Sequence, residues 1–251
     1  MLMSNYVDLH HHLVYGVDDG AQTLQDMQMM IRRAAGEGVR DIVCTSHAVP
    51  GLEPFPMEKY LAHLEEARQF IQSEGINLTL HPGCEVLYTD AAARLLREGR
   101  IPTLADSDVV LVEFSPDASF RDLTEAAKRF GVAGYDVLFA HVERYDTLHD
   151  MKHVQALRED YGVLMQMNAN TILAKHGFFH GRWIRRLLEG GAIDCIATDA
   201  HNMTYRPCRM QECHTVLKER YGQERADELC GGFQRRLLGL KITHREKSRR
   251  S

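Results

Sequence analysis

Histidine and carboxylate residues lie in short clusters along the chain, and these clusters give the first indication of its chemistry. His10 and His12 are separated by one residue, as are Asp199 and His201. On an extended strand such residues point to the same side, so the two side chains of each pair can share one ion. A set of His, Asp and Glu ligands suits Zn, Mn, Fe or Co, and the sequence has no C-x-x-C pair of the kind found in structural zinc sites.

These clusters follow short apolar segments that alternate with longer helical patterns. The apolar, β-branched runs predict seven strands, at residues 6–10, 41–46, 77–81, 109–113, 136–140, 163–167 and 194–198. Helices are predicted between them, with Thr23 as the N-cap of the first and Gly75 beyond the end of the second. The segment 208–238 is predicted to be mostly helical, with a break near Gly222. Repeated alternation of strand and helix implies parallel strands joined by right-handed crossovers.

Six of the seven predicted strands are followed by an ionisable side chain, and only the sixth, which ends at Asn168, is not. The candidate residues are His10, His12, Asp18, Asp19, His47, Glu85, Glu113, His141, Arg144, Asp199 and His201. The carboxyl ends of parallel strands share one face, where active sites lie. An open doubly wound sheet would spread these residues along a line, with strands about 4.8 Å apart, whereas a barrel would gather them into a ring. The pattern therefore favours a β/α barrel.

The composition is that of an ordinary globular protein and limits the remaining possibilities. The chain has 251 residues, 26% of them charged and 44% hydrophobic, without an internal repeat or a flexible linker, so one domain is expected over residues 1–240. The net charge of −5 argues against nucleic-acid binding. The N-terminus does not read as a signal peptide, and no run approaches the roughly 18 apolar residues of a membrane span. We expect a cytoplasmic protein with reduced cysteines and a basic, disordered tail at residues 241–251.

Several motifs resemble those of a known family. They read DLHHH at 8–12, GVDDG at 16–20, TSH at 45–47, GCE at 83–85, VEFS at 112–115, AHVERY at 140–145, ATDAHN at 197–202 and RP at 206–207. The first of these resembles the signature of the PHP superfamily (polymerase and histidinol phosphatase). The set as a whole is similar to the bacterial manganese-dependent protein-tyrosine phosphatases of the CpsB/YwqE type, and the resemblance extends over residues 6–240.

The resemblance implies a distorted seven-stranded (β/α)7 TIM-like barrel, the PHP fold, with three divalent metal ions at its mouth. Manganese is the expected metal, with Fe, Zn, Co or Mg as alternatives. Matching positions assign the first ion to His10, His12, Glu85 and Asp199. The second ion is assigned to Glu85, as a bridging carboxylate, with Glu113 and His141. The third ion is assigned to Asp19, His47 and His201. The resemblance also implies that Asp8 and Asp18 orient ligands.

The implied activity is hydrolysis of phosphotyrosine monoesters by a metal-activated hydroxide. Arg144 and Arg206 would bind the phosphate, and Asp199 would act with them in catalysis. The resemblance also implies a substrate, the C-terminal tail of a bacterial tyrosine kinase that controls capsular or exopolysaccharide synthesis. The sequence departs from relatives at His11, which alternation turns away from the ions, and at residues 48–50, where substrate contacts are left open.

Four other interpretations remain at this point. A PHP phosphoesterase could act on a small substrate such as histidinol phosphate, and a PHP domain could also be of the nuclease type or a non-catalytic metal-binding regulatory module. A cysteine-based phosphatase is suggested by the C-x5-R spacing of Cys230 and Arg236, but this spacing is expected by chance in such a chain, and Cys230 follows a helical pattern instead of a strand.

Overall fold

Seven parallel strands form one sheet in the computed structural model, which describes residues 5–239, and neighbouring strands in the sheet are also neighbours along the chain. The strands are β1 (Tyr6–His11), β2 (Val39–Ala48), β3 (Thr79–Leu87), β4 (Val109–Glu113), β5 (Asp136–Phe139), β6 (Leu164–Asn168) and β7 (Cys195–Ala197). The helices are α1 (Leu24–Gly36), α2 (Met57–Ser73), α3 (Ala92–Arg97), α4 (Phe120–Val132), α5 (Met151–Glu159), α6 (Ala169–Leu173), α7 (Phe178–Glu189), α8 (Met210–Tyr221), α9 (Gln223–Asp227) and α10 (Phe233–Leu237).

The first and last strands meet and nearly close the sheet into a barrel. The His12 amide donates to the Ala200 carbonyl at 2.9 Å, and the Asp199 amide donates to the His10 carbonyl at 2.8 Å. A buried side-chain link lies beneath these bonds, where the Asp8 carboxylate accepts from the Thr198 amide at 2.9 Å and from the Thr198 hydroxyl. The expected seven-stranded TIM-like barrel is thus confirmed.

Alternate residues of the strands pack on opposite sides of the sheet. Val110 and Val112 on β4 belong to a large apolar cluster that includes the helices, whereas Leu111 belongs to a smaller one with Val7 and Leu138. Burial on both faces explains why the strands read as continuous apolar runs, since both sides of each strand are covered.

Capping boxes begin α1 and α4. The Thr23 hydroxyl accepts from the Asp26 amide at 3.1 Å while the Asp26 carboxylate accepts from the Thr23 amide, so a capping box begins α1 as the sequence predicts. Ser119 and Asp122 form the same arrangement at the start of α4. The predicted break near Gly222 is also present, because this residue has a φ of 88° between α8 and α9.

The structure differs from the sequence-based expectation in the length of β3. Pro82 and Gly83 suggest an early end, yet β3 stays paired with β2 from Thr79 to Val86. Gly83 permits this close approach, since a Cβ placed there would lie 2.5 Å from the Val43 side chain. Glu85 is consequently part of the strand and does not follow it.

Three further expectations concern a helix, a membrane span and the C-terminal tail. The helix expected between the sixth and seventh strands is present as α7 and begins at Phe178. Within residues 5–239, no helix combines the length and the apolar character needed to span a bilayer. The basic tail predicted at 241–251 lies outside the described residues.

Candidate metal centre

The carboxyl ends of the strands bring the predicted histidines and carboxylates to one rim. His10 and His12 on and just beyond β1 point to the same side, with their Nε2 atoms 3.1 Å apart. His47 comes from β2, Glu85 from β3 and Glu113 from the end of β4. The remaining predicted ligands reach the same rim from loops after β1, β5 and β7, namely Asp19, His141, Asp199 and His201.

The most buried group contains His10, His12, Glu85 and Asp199. His10 Nε2 lies 3.0 Å from Glu85 Oε2 and 3.3 Å from Asp199 Oδ1. His12 Nε2 lies 3.3 and 3.5 Å from the same two oxygens. Ligands that bind one ion at about 2.0–2.2 Å stand roughly 3–3.5 Å from one another. The four atoms therefore have the separations that a shared cation requires.

A second group lies nearer to solvent. Its members are His12, Asp19, His47 and His201, with all ligand atoms within 4.8 Å of one another. Asp19 Oδ1 is 3.4 Å from both His47 Nε2 and His201 Nε2. This group contains the three residues assigned by resemblance to the third ion and adds His12 to them.

The third group consists of His47, Glu85 and Glu113 and shares residues with the other two, while His141, expected in this group, lies beside it. His47 Nδ1 lies 3.1 Å from Glu85 Oε2 and 3.1 Å from Glu113 Oε1. His141 Nε2 lies 2.8 Å from Glu85 Oε1 and 3.8 Å from Glu113 Oε2. Glu85 thus faces two groups, as its expected bridging position requires, while His47 faces two groups where only one was expected.

Hydrogen bonds on the far side of the rings leave ring nitrogens directed into the cluster. Asp18 Oδ2 lies 2.8 Å from His12 Nδ1, and the Asp199 carbonyl lies 3.0 Å from His201 Nδ1. A histidine that donates from Nδ1 keeps a lone pair on Nε2, which is the form that ligates metals. The geometry agrees with the orienting role expected for Asp18.

Gln166 on β6 also orients predicted ligands through hydrogen bonds. The sequence analysis did not identify this residue. Its Oε1 lies 3.2 Å from His10 Nδ1 and accepts from the His141 amide at 2.8 Å. Its amide nitrogen donates to Asn168, whose own amide nitrogen donates to Asp199 at 2.7 Å. Polar residues at positions 166 and 168 of a buried strand were the available signal.

The electrostatic environment keeps the two buried carboxylates of the cluster ionised. Burial alone would raise the pKa of Glu85, but the charge on His10 and hydrogen bonds from His10, His12 and His141 hold it well below its usual value. The pKa of Asp199 is also well below its usual value, because His10 and His12 outweigh the effect of burial. Burial, followed by the charge on His12, lowers the pKa of His201 to about 4. Neighbouring carboxylates outweigh burial and raise the pKa of His10, His12 and His47, so a divalent ion would displace protons from these rings on binding.

Two polar atoms in the cluster also fit a metal centre. Asp199 Oδ1 and His201 Nε2 are buried and have no hydrogen-bond partner among the described residues. Leaving such atoms unsatisfied costs about 1–3 kcal/mol each. A bound cation would satisfy both, so the donor set and its burial fit the implied ions.

Two arginines border the cluster on its open side. Arg144 and Arg206 both donate to Asp199 Oδ2, and their side chains remain 43% and 34% exposed. Guanidinium groups bind phosphate oxygens through paired N–H donors. The rim therefore combines a metal-ligand cluster with an anion-binding edge.

His11 is placed apart from the cluster, as alternation along β1 predicts. It is fully buried, and neither ring nitrogen has a hydrogen-bond partner among residues 5–239. Burial, with smaller contributions from neighbouring histidines, lowers its pKa to about 3. The ring is therefore neutral and acts in packing.

The C-x5-R interpretation is contradicted by the surroundings of Cys230. This residue lies in the π-helical turn Glu228–Gly232 and is fully buried. A hydrogen bond with Cys213, together with burial, raises the pKa of Cys230 well above its usual value. Arg236 is paired with Glu228. A nucleophilic cysteine needs the opposite, a stabilised thiolate accessible to substrate.

Comparisons with known proteins agree with the geometry. A family model described as capsular polysaccharide synthesis, CpsB/CapC, matches residues 6–238. The tyrosine-protein phosphatase CpsB of Streptococcus pneumoniae is 31% identical over 92% of this chain and 98% of its own length. The tyrosine-protein phosphatase YwqE of Bacillus subtilis is 26% identical over 87% of this chain and 86% of its own length.

Solved structures extend the comparison to the fold. A crystal structure from work on YwqE of Bacillus subtilis and CpsB of Streptococcus pneumoniae, described as unique metal-dependent tyrosine phosphatases, matches 94% of this chain and 95% of its own, with a TM-score of 0.82 and 26% identity. A histidinol phosphate phosphatase from Lactococcus lactis shares the fold, with a TM-score of 0.55 and 14% identity over 91% of this chain and 98% of its own.

The structure defines a class of seven-stranded barrel with a cluster of possible metal ligands at its mouth. Within that class, the chain belongs to the CpsB/CapC family, whose model matches nearly all of the described residues.

Proposed function

We propose that this protein is a metal-dependent phosphatase that hydrolyses phosphotyrosine in proteins. The observation that supports this most is the convergence of the nine predicted ligands on one rim, with Arg144 and Arg206 beside them. The relatives named as tyrosine-protein phosphatases support the substrate class. Because all nine ligands and both arginines are present, a catalytic role is favoured over a regulatory module.

We assign three divalent ions, with manganese as the expected metal. His10, His12, Glu85 and Asp199 would hold one; Glu85, Glu113 and His141 a second; and Asp19, His47 and His201 a third. Such ions polarise phosphate oxygens and lower the pKa of water from about 15.7 toward about 7. The two carboxylate oxygens of Glu85 face different residues, Oε2 facing His10 and Oε1 facing His141, and this supports the assignment of neighbouring ions.

The protein's own residues bind and orient the substrate. Arg144 and Arg206 donate to the phosphate oxygens, where they stabilise negative charge as the phosphorus–oxygen bond breaks. Asp199 Oδ2 holds both guanidinium groups at the rim before substrate arrives. Asn168 donates to the same oxygen, which keeps the Asp199 carboxylate in place. A tyrosine leaves as a phenolate with a pKa near 10, so a strong general acid is not essential.

The biological setting follows from the family and is part of the proposal. The family description refers to capsular polysaccharide synthesis. We infer that the substrate is the C-terminal tail of a bacterial tyrosine kinase that controls capsule or exopolysaccharide production, and that hydrolysis takes place in the cytoplasm.

The test is turnover of an aryl phosphate by protein treated with EDTA and then supplied with Mn²⁺. We expect activity to disappear with the chelator and to return with the metal. Alkylation with iodoacetamide under native conditions should leave activity intact, since all six cysteines are buried. Activity that survives EDTA but is lost on alkylation would exclude the proposal.

A substrate panel then separates the enzyme alternatives. We expect a phosphotyrosine peptide to be hydrolysed faster than a phosphoserine peptide, histidinol phosphate or a short DNA. Preference for histidinol phosphate would instead identify a small-substrate phosphoesterase. Metal-loaded protein that hydrolyses none of these would support the regulatory alternative.

A further inference from the structure

A basic and aromatic segment lies beside the candidate site, although the chain as a whole is acidic. Residues 174–188 contain one Lys and three Arg but no Asp or Glu, while the whole chain carries a net charge of −5. Phe178 and Phe179 at the start of α7 are 74% and 85% exposed. Large exposed aromatic side chains next to arginines are typical of surfaces that bind other proteins.

One side of α7 borders a cavity of about 470 Å³, which we call the α7 cavity. It is lined by His149, Phe179, His180, Arg182, Trp183 and Arg186. No carboxylate lines it, and neither Arg182 nor Arg186 forms an ion pair with any residue of the described part of the chain. Both guanidinium groups are therefore available to an external anion.

The α7 cavity is connected to the metal cluster by a short series of contacts. The ring of Trp183, which lines the cavity, packs edge-on against His149 with the ring centroids 5.2 Å apart. Glu143 precedes Arg144 and accepts from the Asn168 amide at 3.0 Å. Asn168 in turn donates to Asp199. The loop after β5 thus carries Arg144, the proposed phosphate-binding residue, five residues before the cavity residue His149, a separation of at most about 18 Å that a short extended peptide can span.

We propose that the α7 cavity binds an acidic segment of the substrate protein that flanks the phosphotyrosine. Carboxylates of that segment pair with Arg182 and Arg186, and its apolar side chains pack on the exposed ring of Phe179. The inference rests on the proposed phosphotyrosine activity and adds a preference among its substrates. Charge complementarity of this kind favours a peptide over a neutral small molecule, since the cavity is open and its arginines lie along a helix face.

The test compares two phosphotyrosine peptides that differ only in having Glu or Gln at the flanking positions. The metal-loaded full-length protein should show a kcat/KM about fivefold higher for the Glu peptide, because exposed ion pairs contribute only about 0.2–1 kcal/mol each. The ratio should approach 1 when NaCl is raised to about 1 M, where the screening length falls to about 3 Å.

The variant Arg182→Gln/Arg186→Gln should lower the ratio to about 1. Expressing the result as a ratio within one protein cancels any general change in activity. The matched control Arg97→Gln/Arg100→Gln removes the same charge from exposed positions at and beyond the end of α3, and it should keep the wild-type ratio. A ratio of 1 in the wild type, or a ratio that the Arg182/Arg186 variant leaves unchanged, would overturn the proposal.

An anionic membrane surface is the competing ligand, and vesicle sedimentation distinguishes it. We expect the metal-loaded protein to remain in the supernatant with phosphatidylserine–phosphatidylcholine vesicles. Sedimentation that depends on Arg182 and Arg186, without a preference between the peptides, would assign the surface to lipid instead. If neither peptide is hydrolysed, the proposed function itself fails; if both are hydrolysed equally, only the α7 inference fails.

Discussion

Asp199 joins the two halves of the candidate site through its two carboxylate oxygens. Oδ1 faces His10 and His12, while Oδ2 accepts from Arg144 and Arg206. The residue has a φ of 53°, a region in which Asp and Asn are better tolerated than most residues. The backbone at this position is therefore matched to the side chain that the site requires.

For this reason we expect Asp199→Asn to remove activity while preserving the fold. Loss of the carboxylate should weaken metal binding and lower kcat by more than about 100-fold, since partners one contact removed from a metal already matter by roughly 10- to 100-fold. Activity assays, elemental analysis and a circular-dichroism melt would measure this. An active variant with full metal content would contradict the role assigned to Asp199.

Arg144 permits a different prediction, because it contacts the cluster without belonging to it. Arg144→Ala should raise KM for an aryl phosphate by about tenfold, which corresponds to loss of one charge-assisted hydrogen bond. Asp199 would keep its contacts with Arg206 and Asn168, so metal content should not change. Arg97→Ala at the end of α3 is the control. Metal loss in the Arg144 variant would show that the arginine supports the ions instead of the phosphate.

At the scale of elements, the loop between β1 and α1 carries two predicted ligands, His12 and Asp19. Gly20 lies against His12, where a Cβ would come within 2.2 Å of the His12 carbonyl oxygen. The Gly20 amide also donates to Asp18, the residue that orients His12. The close packing of this loop thus determines the position of one ligand in two of the three groups.

Gly20→Ala should consequently displace His12 and reduce both metal content and stability. Overpacking of this kind costs typically about 1–3 kcal/mol. Gly36→Ala is a matched control, because nothing lies within 4 Å of the added methyl group at the end of α1. Chemical denaturation and metal analysis of both variants would measure the difference, and equal behaviour would show that the loop does not constrain His12.

Strand β6 illustrates a second contribution of an element to the site. It was the one predicted strand without an ionisable residue at its end. Its side-chain amides nevertheless form hydrogen bonds with predicted ligands on or after β1, β5 and β7. Gln166 contacts His10 and the backbone of His141, and Asn168 contacts Asp199. Strand β6 orients predicted ligands through hydrogen bonds, whereas the neighbouring strands and loops carry the predicted ligands themselves.

At the scale of the whole molecule, the predicted metal ligands come from distant parts of the chain. The buried group joins β1, β3 and the loop after β7, so metal binding should favour the closed barrel over the unfolded chain. Ligand at 100 times its Kd adds about 2.7 kcal/mol of stability. For a chain of this size we expect Mn²⁺ to raise Tm by about 5–10 °C relative to EDTA-treated protein.

Differential scanning calorimetry at several Mn²⁺ concentrations would measure this shift, with Asp199→Asn as the control that should respond less. A Tm independent of the metal would argue against a site in which ions link the strands.

The sequence alone was sufficient to predict the fold class and most residues of the candidate site. Strand and helix alternation, together with the ionisable residues that follow six strands, predicted the barrel. The spacing of His10 from His12 and of Asp199 from His201 predicted a shared cation, because side-chain direction along a strand is a local property. The motifs also indicated nine candidate ligands; eight of them form the three groups at the rim, and His141 lies beside Glu85.

The tertiary structure decided which of these atoms face one another. Glu85 is positioned by the extended pairing of β2 with β3, despite Pro82 and Gly83. Gln166 reaches His10 only because strands distant in sequence are brought together in the barrel. The α7 cavity likewise forms where a loop and a helix meet. Such contacts depend on register and packing between distant segments, which no local pattern of residues specifies.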